Sequence, residues 1–154
     1  MGEFKMLIGI NALLNADVLY TLRAMGHGDD LIIADRNFPS DSVARDTVLG
    51  EILRIDASAP EVVKAVLSVY PIDTFVDDAA ARMEVVGEPK TLLPVMNDVQ
   101  DEVTAAGGPN EMKSIERFAF YERAKNAYAV IQTGERRFYG CFALRKGVIG
   151  PDSG

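Results

Sequence analysis

Leu31, Ile32, Ile33 and Ala34 form an unbroken apolar run, and this run constrains the fold more than any other stretch of the chain. A strand with one wet face alternates apolar and polar side chains, whereas a strand that is apolar at every position is covered on both faces. Such a strand needs a layer of structure above it and another below. The flanking sequence supplies helices for both. Asn15 is a suitable N-cap for a helix over residues 16–25, whose Val18, Leu19, Leu22 and Met25 share a face before Gly26 offers a stop. Residues 58–70 carry Pro60 near a helix start and Val62, Val63, Val66, Leu67 and Tyr70 along one side, with Pro71 closing the pattern. Pro94 opens a third pattern through Val95, Val99 and Val103 towards Gly107 and Gly108, and residues 117–126 read as a short helix. Strands are expected at residues 74–76, 83–86, 112–115, 128–133 and 139–145, the last two joined through Thr133, Gly134 and Glu135, while residues 38–41 turn the chain. Helices alternating with apolar strands predict an α/β fold: one three-layer α/β/α domain around a central mixed sheet.

Composition narrows the function. The 154 residues suit a single domain, expected to run from 6 to 150, with residues 1–5 read as an extraneous leader ahead of a second methionine, Met6. No apolar run approaches the roughly 20 residues that cross a bilayer, and a secretory signal pattern is missing at the N-terminus, so no membrane association is expected. The net charge of −7, with basic residues scattered rather than gathered in a stripe, argues against nucleic acid as a partner. Cys141 is the only cysteine, which excludes a disulfide framework and a thiolate metal cluster and fits a reducing, cytoplasmic setting. The glycines at 26, 28, 107 and 108 match neither a phosphate loop nor a dinucleotide fingerprint, so no cofactor is expected. With a lone histidine, no metal site is expected either. There is no nucleophile elbow, and covalent catalysis is disfavoured.

The residues able to carry chemistry are few. His27, the only histidine, sits between Gly26 and Gly28 at a helix-to-strand corner. Histidine titrates near neutrality, and the two glycines leave its ring uncovered and let a ligand approach the backbone. Asp29 and Asp30 read as groups that cap or solvate the turn. Asp35 follows the buried strand, where open α/β sheets place their ligands. Further on, Arg117, Phe118, Ala119, Phe120, Tyr121, Glu122, Arg123 and Ala124 mix aromatic rings with a guanidinium and a phenol, and helical spacing puts Arg117 and Tyr121 on one face. Read structurally, the phenylalanines are core and the charges a solvated face. Read functionally, the same groups suit a sugar: several hydrogen bonds to hydroxyls and an apolar ring for the C–H face.

Met25 to Asp29 with Ala34, Asp35, Phe38 and Pro39, then the block from Arg117 to Ala124, then Thr133, Gly134, Glu135, Tyr139 and Gly140 together resemble the fucose mutarotase and ribose pyranase family, in order and over residues 7–148. The resemblance implies a cofactor-free enzyme that interconverts the α and β anomers of a free sugar, assembled as a ring-based homo-oligomer, commonly a decamer. It implies His27 as proton donor, Asp35, Arg117, Tyr121 and Tyr139 as sugar-binding residues, and Asp73 and Met83 as further residues lining the site. Arg117 stands where the ribose branch tends to have histidine, which favours L-fucose. Cys141 departs from the family, which usually has asparagine there, and so places a weak hydrogen-bonding group at a sugar-contacting position. A pyranose/furanose interconversion of ribose and a non-catalytic sugar-binding module are the alternatives. Residues 139–145, with Gly147 and Val148, are expected at a subunit contact.

Overall fold

The structure, a computed structural model, describes residues 6–152; the expectation for residues 1–5 lies outside them. Six strands, β1 (Asp30–Ala34), β2 (Leu53–Ile55), β3 (Ala80–Met83), β4 (Lys113–Ile115), β5 (Ala129–Thr133) and β6 (Phe142–Arg145), form one sheet in the order β2-β5-β1-β6-β3-β4. β6 is antiparallel to both its neighbours, β1 and β3, and the remaining pairs are parallel, so the sheet is mixed. Five helices cover it: α1 (Ala16–Ala24), α2 (Ser40–Ala44), α3 (Ala59–Leu67), α4 (Pro94–Ala105) and α5 (Arg117–Lys125).

The period of two along β1 sorts the core into two layers. Leu31 and Ile33 pack with Val18 and Leu22 of α1, Val62, Val63 and Val66 of α3, and Val95, Val99 and Val103 of α4. Ile32 and Ala34 face the other way, against Val43 and Ala44 of α2 and Phe120 and Ala124 of α5. All four β1 residues from Leu31 to Ala34 are fully buried. At about 1.5–3 kcal/mol per buried aliphatic side chain, this strand anchors both cores.

The helices start as the sequence implies. Asn15 accepts a hydrogen bond from the Val18 amide, and Ser58 with Glu61 closes a capping box at α3. Other details differ. α1 ends without a left-handed glycine at Gly26: Met25 is extended, and the Lys146 ammonium donates to the carbonyls of Leu22 and Met25. α3 ends at Leu67, before Tyr70, whose hydroxyl instead donates to the Leu144 carbonyl. The turn expected at residues 38–41 opens the short helix α2, and β2 was missed. Residues 74–76 are not a strand: Phe75 and Val76 are exposed in the loop before β3, which lies ahead of the segment expected at 83–86. β5 and β6 are joined but not paired, because β1 lies between them. Both edges of β6 are hydrogen-bonded within the chain and Phe142, Ala143 and Leu144 are fully buried, so of the segment expected at a subunit contact it is the flanking residues, Val148 among them, that reach the surface.

Asp30 is no solvated turn carboxylate. It takes two hydrogen bonds from Arg123 of α5 at 3.0 Å and two from Arg145 of β6 at 3.3 Å, while Arg145 also reaches Asp78 at 2.7 Å. The cluster is largely but not fully buried, and removing one partner from a fully buried pair leaves charge uncompensated at about 3–5 kcal/mol, an upper bound here. Asp30→Asn is therefore expected to lower unfolding free energy by about 2–4 kcal/mol in urea titration, whereas Arg45→Ala, which breaks the exposed pair with Asp41, is expected to change it by less than about 0.5 kcal/mol.

Candidate active site

One edge of the sheet gathers the carboxyl ends of β1 and β3, the approach to β6, and the start of α5 directly after β4. A cavity of about 340 Å³ opens there, lined by Asp35, Asn37, Phe38, Met83, Arg117, Tyr121, Phe138, Tyr139 and Cys141. Each residue is placed by the end of an element. Asp35 directly follows β1, Met83 ends β3, Arg117 and Tyr121 are one turn apart on α5, and Tyr139 and Cys141 lead into β6.

Asp35 is buried and holds two loops at once. Its Oδ1 accepts the amides of Asn37 at 2.9 Å and Phe38 at 3.0 Å, and its Oδ2 accepts the Gly140 amide at 3.0 Å. A Cβ at Gly140 would lie 2.9 Å from Glu135 Cγ and 3.2 Å from Asp35 Cβ, so only glycine fits this contact. Beside it Tyr139 adopts a left-handed backbone, φ 60°, rare for an aromatic residue, and its hydroxyl accepts the Val86 amide at 3.3 Å. The Glu135 carboxylate accepts from the Ala59 amide at the start of α3 and from the Arg137 backbone and guanidinium. Burial pushes the Glu135 carboxyl up, but these hydrogen bonds outweigh it and hold the group below its ordinary range.

Across the cavity, Arg117 Nε donates to the Tyr121 hydroxyl at 3.3 Å, which leaves the phenolic hydrogen free to donate. Phe38 packs edge-on against Tyr121 with ring centroids 5.4 Å apart, and Phe138, 73% exposed, stands at the rim. The cavity thus pairs fixed polar groups with an apolar wall of Phe38, Phe138 and Met83. The Cys141 thiol is buried in its floor. Burial, then the neighbouring Asp35, push it well above the ordinary thiol range.

His27 and Asp73 are elsewhere. They meet at the opposite edge of the sheet, where His27 Nε2 lies 3.4 Å from Asp73 Oδ1. β1 alone, five residues at about 3.3 Å each, holds His27 about 15 Å or more from Asp35. The structure therefore brings together Asp35, Met83, Arg117, Tyr121, Tyr139 and Cys141, and separates His27 and Asp73 from them within one chain. Reading the sequence as a line missed Asn37 and Phe138 as lining residues and treated Phe38 only as a motif residue; their adjacency to Asp35 and Tyr139 was the available signal.

Residues 8–149 match the profile of the RbsD / FucU transport protein family. The chain belongs to this family. Among its relatives, the fucose mutarotase of Danio rerio is 44% identical over 149 residues, spanning 94% of this chain and 95% of that protein. The crystal structure of the protein Atu2016 superposes with a TM-score of 0.91 at 60% identity, covering 94% of this chain and 97% of that one. The fucose mutarotase of Streptococcus pneumoniae, solved in complex with L-fucose, superposes with a TM-score of 0.84 at 33% identity, covering 94% and 100%.

A thiol raised and buried in this way is a poor nucleophile. Native protein at neutral pH is expected to react with iodoacetamide at Cys141 at least about tenfold more slowly than urea-unfolded protein, as read by mass spectrometry.

Proposed function

We propose that this protein is a mutarotase that interconverts the α and β anomers of free L-fucose. The observation that carries this reading is the cavity at the Asp35 edge, in a chain similar along nearly its whole length to fucose mutarotases, one of them solved with L-fucose bound. Its volume lies within the usual range for small-molecule sites. Asp35, Arg117, Tyr121 and Tyr139 offer acceptors and donors to sugar hydroxyls, and Phe38, Phe138 and Met83 offer an apolar surface to the sugar's C–H face and methyl group.

Mutarotation needs one acid and one base. Protonation of the ring oxygen lets the bond between it and the anomeric carbon break, while the anomeric hydroxyl loses its proton and becomes the carbonyl of an open aldehyde. Rotation about the adjacent bond and closure on the other face give the second anomer. His27, 46% exposed at its glycine corner, is the acid. The anomeric proton goes to a phenol, Tyr121 or Tyr139, or to a water held by Asp35. No metal or organic cofactor enters this scheme. Positioned acid–base groups contribute about 10² to 10⁴ in rate, which suits a reaction that proceeds unaided in water.

The distance between His27 and the cavity bears on assembly. A histidine at one edge of the sheet reaches a sugar at the other edge only if the sugar belongs to another copy of the chain. A closed homo-oligomer that repeats this edge-to-edge contact, such as a ring or a decamer built from rings, completes every site identically. The setting that suits a free, reduced Cys141 is the cytoplasm.

Saturation transfer between the two anomeric protons of L-fucose tests the reading. The wild type is expected to exchange them above the spontaneous rate after exhaustive chelation and dialysis, and His27→Gln is expected to lose about 10² or more of the enhancement with the fold intact. An active monomer by light scattering would remove the shared-site arrangement, and full exchange in His27→Gln would remove His27 as the acid.

A further inference from the structure

His27 and Asp73 lie 46 positions apart, yet both are fastened to the same short stretch of chain, residues 145–147. On one side, the Gly28 amide donates to the Lys146 carbonyl at 2.9 Å and the Lys146 amide to the Asp29 carbonyl at 2.8 Å. On the other, the Asp73 amide donates to the Arg145 carbonyl at 2.9 Å and the Gly147 amide to the Pro71 carbonyl at 2.7 Å. A Cβ at Gly147 would lie 2.7 Å from the Ile72 carbonyl oxygen and 2.8 Å from Asp73 Cα. The lack of a side chain at Gly147 is what lets the two corners close on each other. Phe75 completes the arrangement: its amide donates to Asp73 Oδ1 at 3.0 Å and its ring meets the imidazole edge-on, centroids 5.5 Å apart.

We propose that Asp73 is a positioning residue that accepts the Nε2–H of His27 and leaves Nδ1 as the nitrogen that exchanges a proton with the sugar. The role rests on the mutarotase reading; the contact itself does not. The Phe75 amide first, and His27 with it, holds the Asp73 carboxyl below the usual carboxylate range, so the group is an ionised acceptor. An ionised carboxylate has no proton to give, and Nε2 must carry the hydrogen between them. In the neutral ring Nδ1 is then the bare lone pair, and in the imidazolium Nδ1–H is the bond that breaks. That proton forms the O–H bond at the ring oxygen, the electron pair of the broken carbon–oxygen bond stays on that oxygen, and the neutral imidazole recovers a proton when the ring closes. The separation of 3.4 Å is long for a hydrogen bond and in keeping with catalytic contacts that tighten only around substrate. This assigns Asp73 to the histidine rather than to the sugar.

The test reads the nitrogen-15 shifts of the His27 ring in the resting protein, together with kcat and KM for L-fucose anomer exchange in wild type, Asp73→Asn and Asp73→Glu. The proposal expects the wild-type neutral ring as the Nε2–H form and loss of that preference in Asp73→Asn. It also expects kcat about tenfold or more lower in Asp73→Asn with KM within about twofold, and recovery of part of kcat in Asp73→Glu. An Nδ1–H ring in the wild type would overturn it, as would a raised KM with unchanged kcat in Asp73→Asn, the signature of a sugar contact. If Asp73→Asn fails to fold by circular dichroism, the wild-type tautomer and Asp73→Glu still decide. A wild type without exchange would refute the mutarotase reading, while the nitrogen-15 spectrum would judge the contact separately.

Discussion

The cavity depends on one buried carboxylate. Asp35 ends a strand that is fully covered, and its two oxygens take three backbone N–H groups from two different loops. Two of those donors, the Phe38 and Gly140 amides, would otherwise be buried without partners, at about 1–3 kcal/mol each. The same bonds set the shape of the site. The Asn37 and Phe38 amides fix the loop that carries the Phe38 ring against Tyr121, and the Gly140 amide fixes the loop that carries Tyr139 in its left-handed conformation. Such a conformation costs roughly 1–3 kcal/mol and persists only where the surroundings over-determine it. Glu135 and Arg137 supply that from the other side, tying the loop to the start of α3 and to Asp98 on α4. Asp35 thus places the groups around a bound sugar whether or not it also touches one.

The antiparallel insertion of β6 determines what faces what. Because β6 runs against β1 and β3, the residues before it, Tyr139 and Cys141, join the carboxyl ends of β1 and β3, while its last residue, Arg145, and the two that follow join the start of β1. The chain therefore has two chemically distinct ends: hydrogen-bonding groups and aromatic walls at one, an imidazole with its carboxylate at the other. In the proposed mechanism the two ends supply different parts, the acid at one and the sugar-binding groups at the other. A parallel strand in that place would have carried Tyr139 to the histidine's edge.

How legible each part was follows from how local its cause is. β1 was readable because burial on both faces writes itself into consecutive residues, and α3 because Ser58, Pro60 and Glu61 carry its start. β3 was misplaced for the converse reason. Its residues, Ala80, Ala81, Arg82 and Met83, have no β-branched or aromatic member, whereas Phe75 and Val76, which look like strand residues, project into solvent. α2 and β2, of five and three residues, are too short for a period to develop. Among the candidate site residues, Arg117 and Tyr121 announced each other by helical spacing. Asp30 did not, since its partners lie 93 and 115 positions away, and neither did the pairing of His27 with Asp73. The family resemblance named the residues but not their distribution between two ends of the sheet, because motifs in order along a chain carry no distances.

Charge narrows the kind of sugar this architecture accepts. The chain carries a net −7, and the cavity holds one buried carboxylate, Asp35, and one guanidinium, Arg117, near the surface. A phosphorylated sugar would bring about two negative charges into a site that already contains one and offers a single, solvent-screened cation in return. The field of the whole protein adds to that repulsion. A neutral sugar meets neither obstacle: its hydroxyls both donate and accept, and so match a wall that presents an acceptor in Asp35, a donor in Arg117, and groups able to do both in Tyr121 and Tyr139. The same electrostatics that argues against nucleic acid therefore selects, within the carbohydrates, for an unphosphorylated substrate.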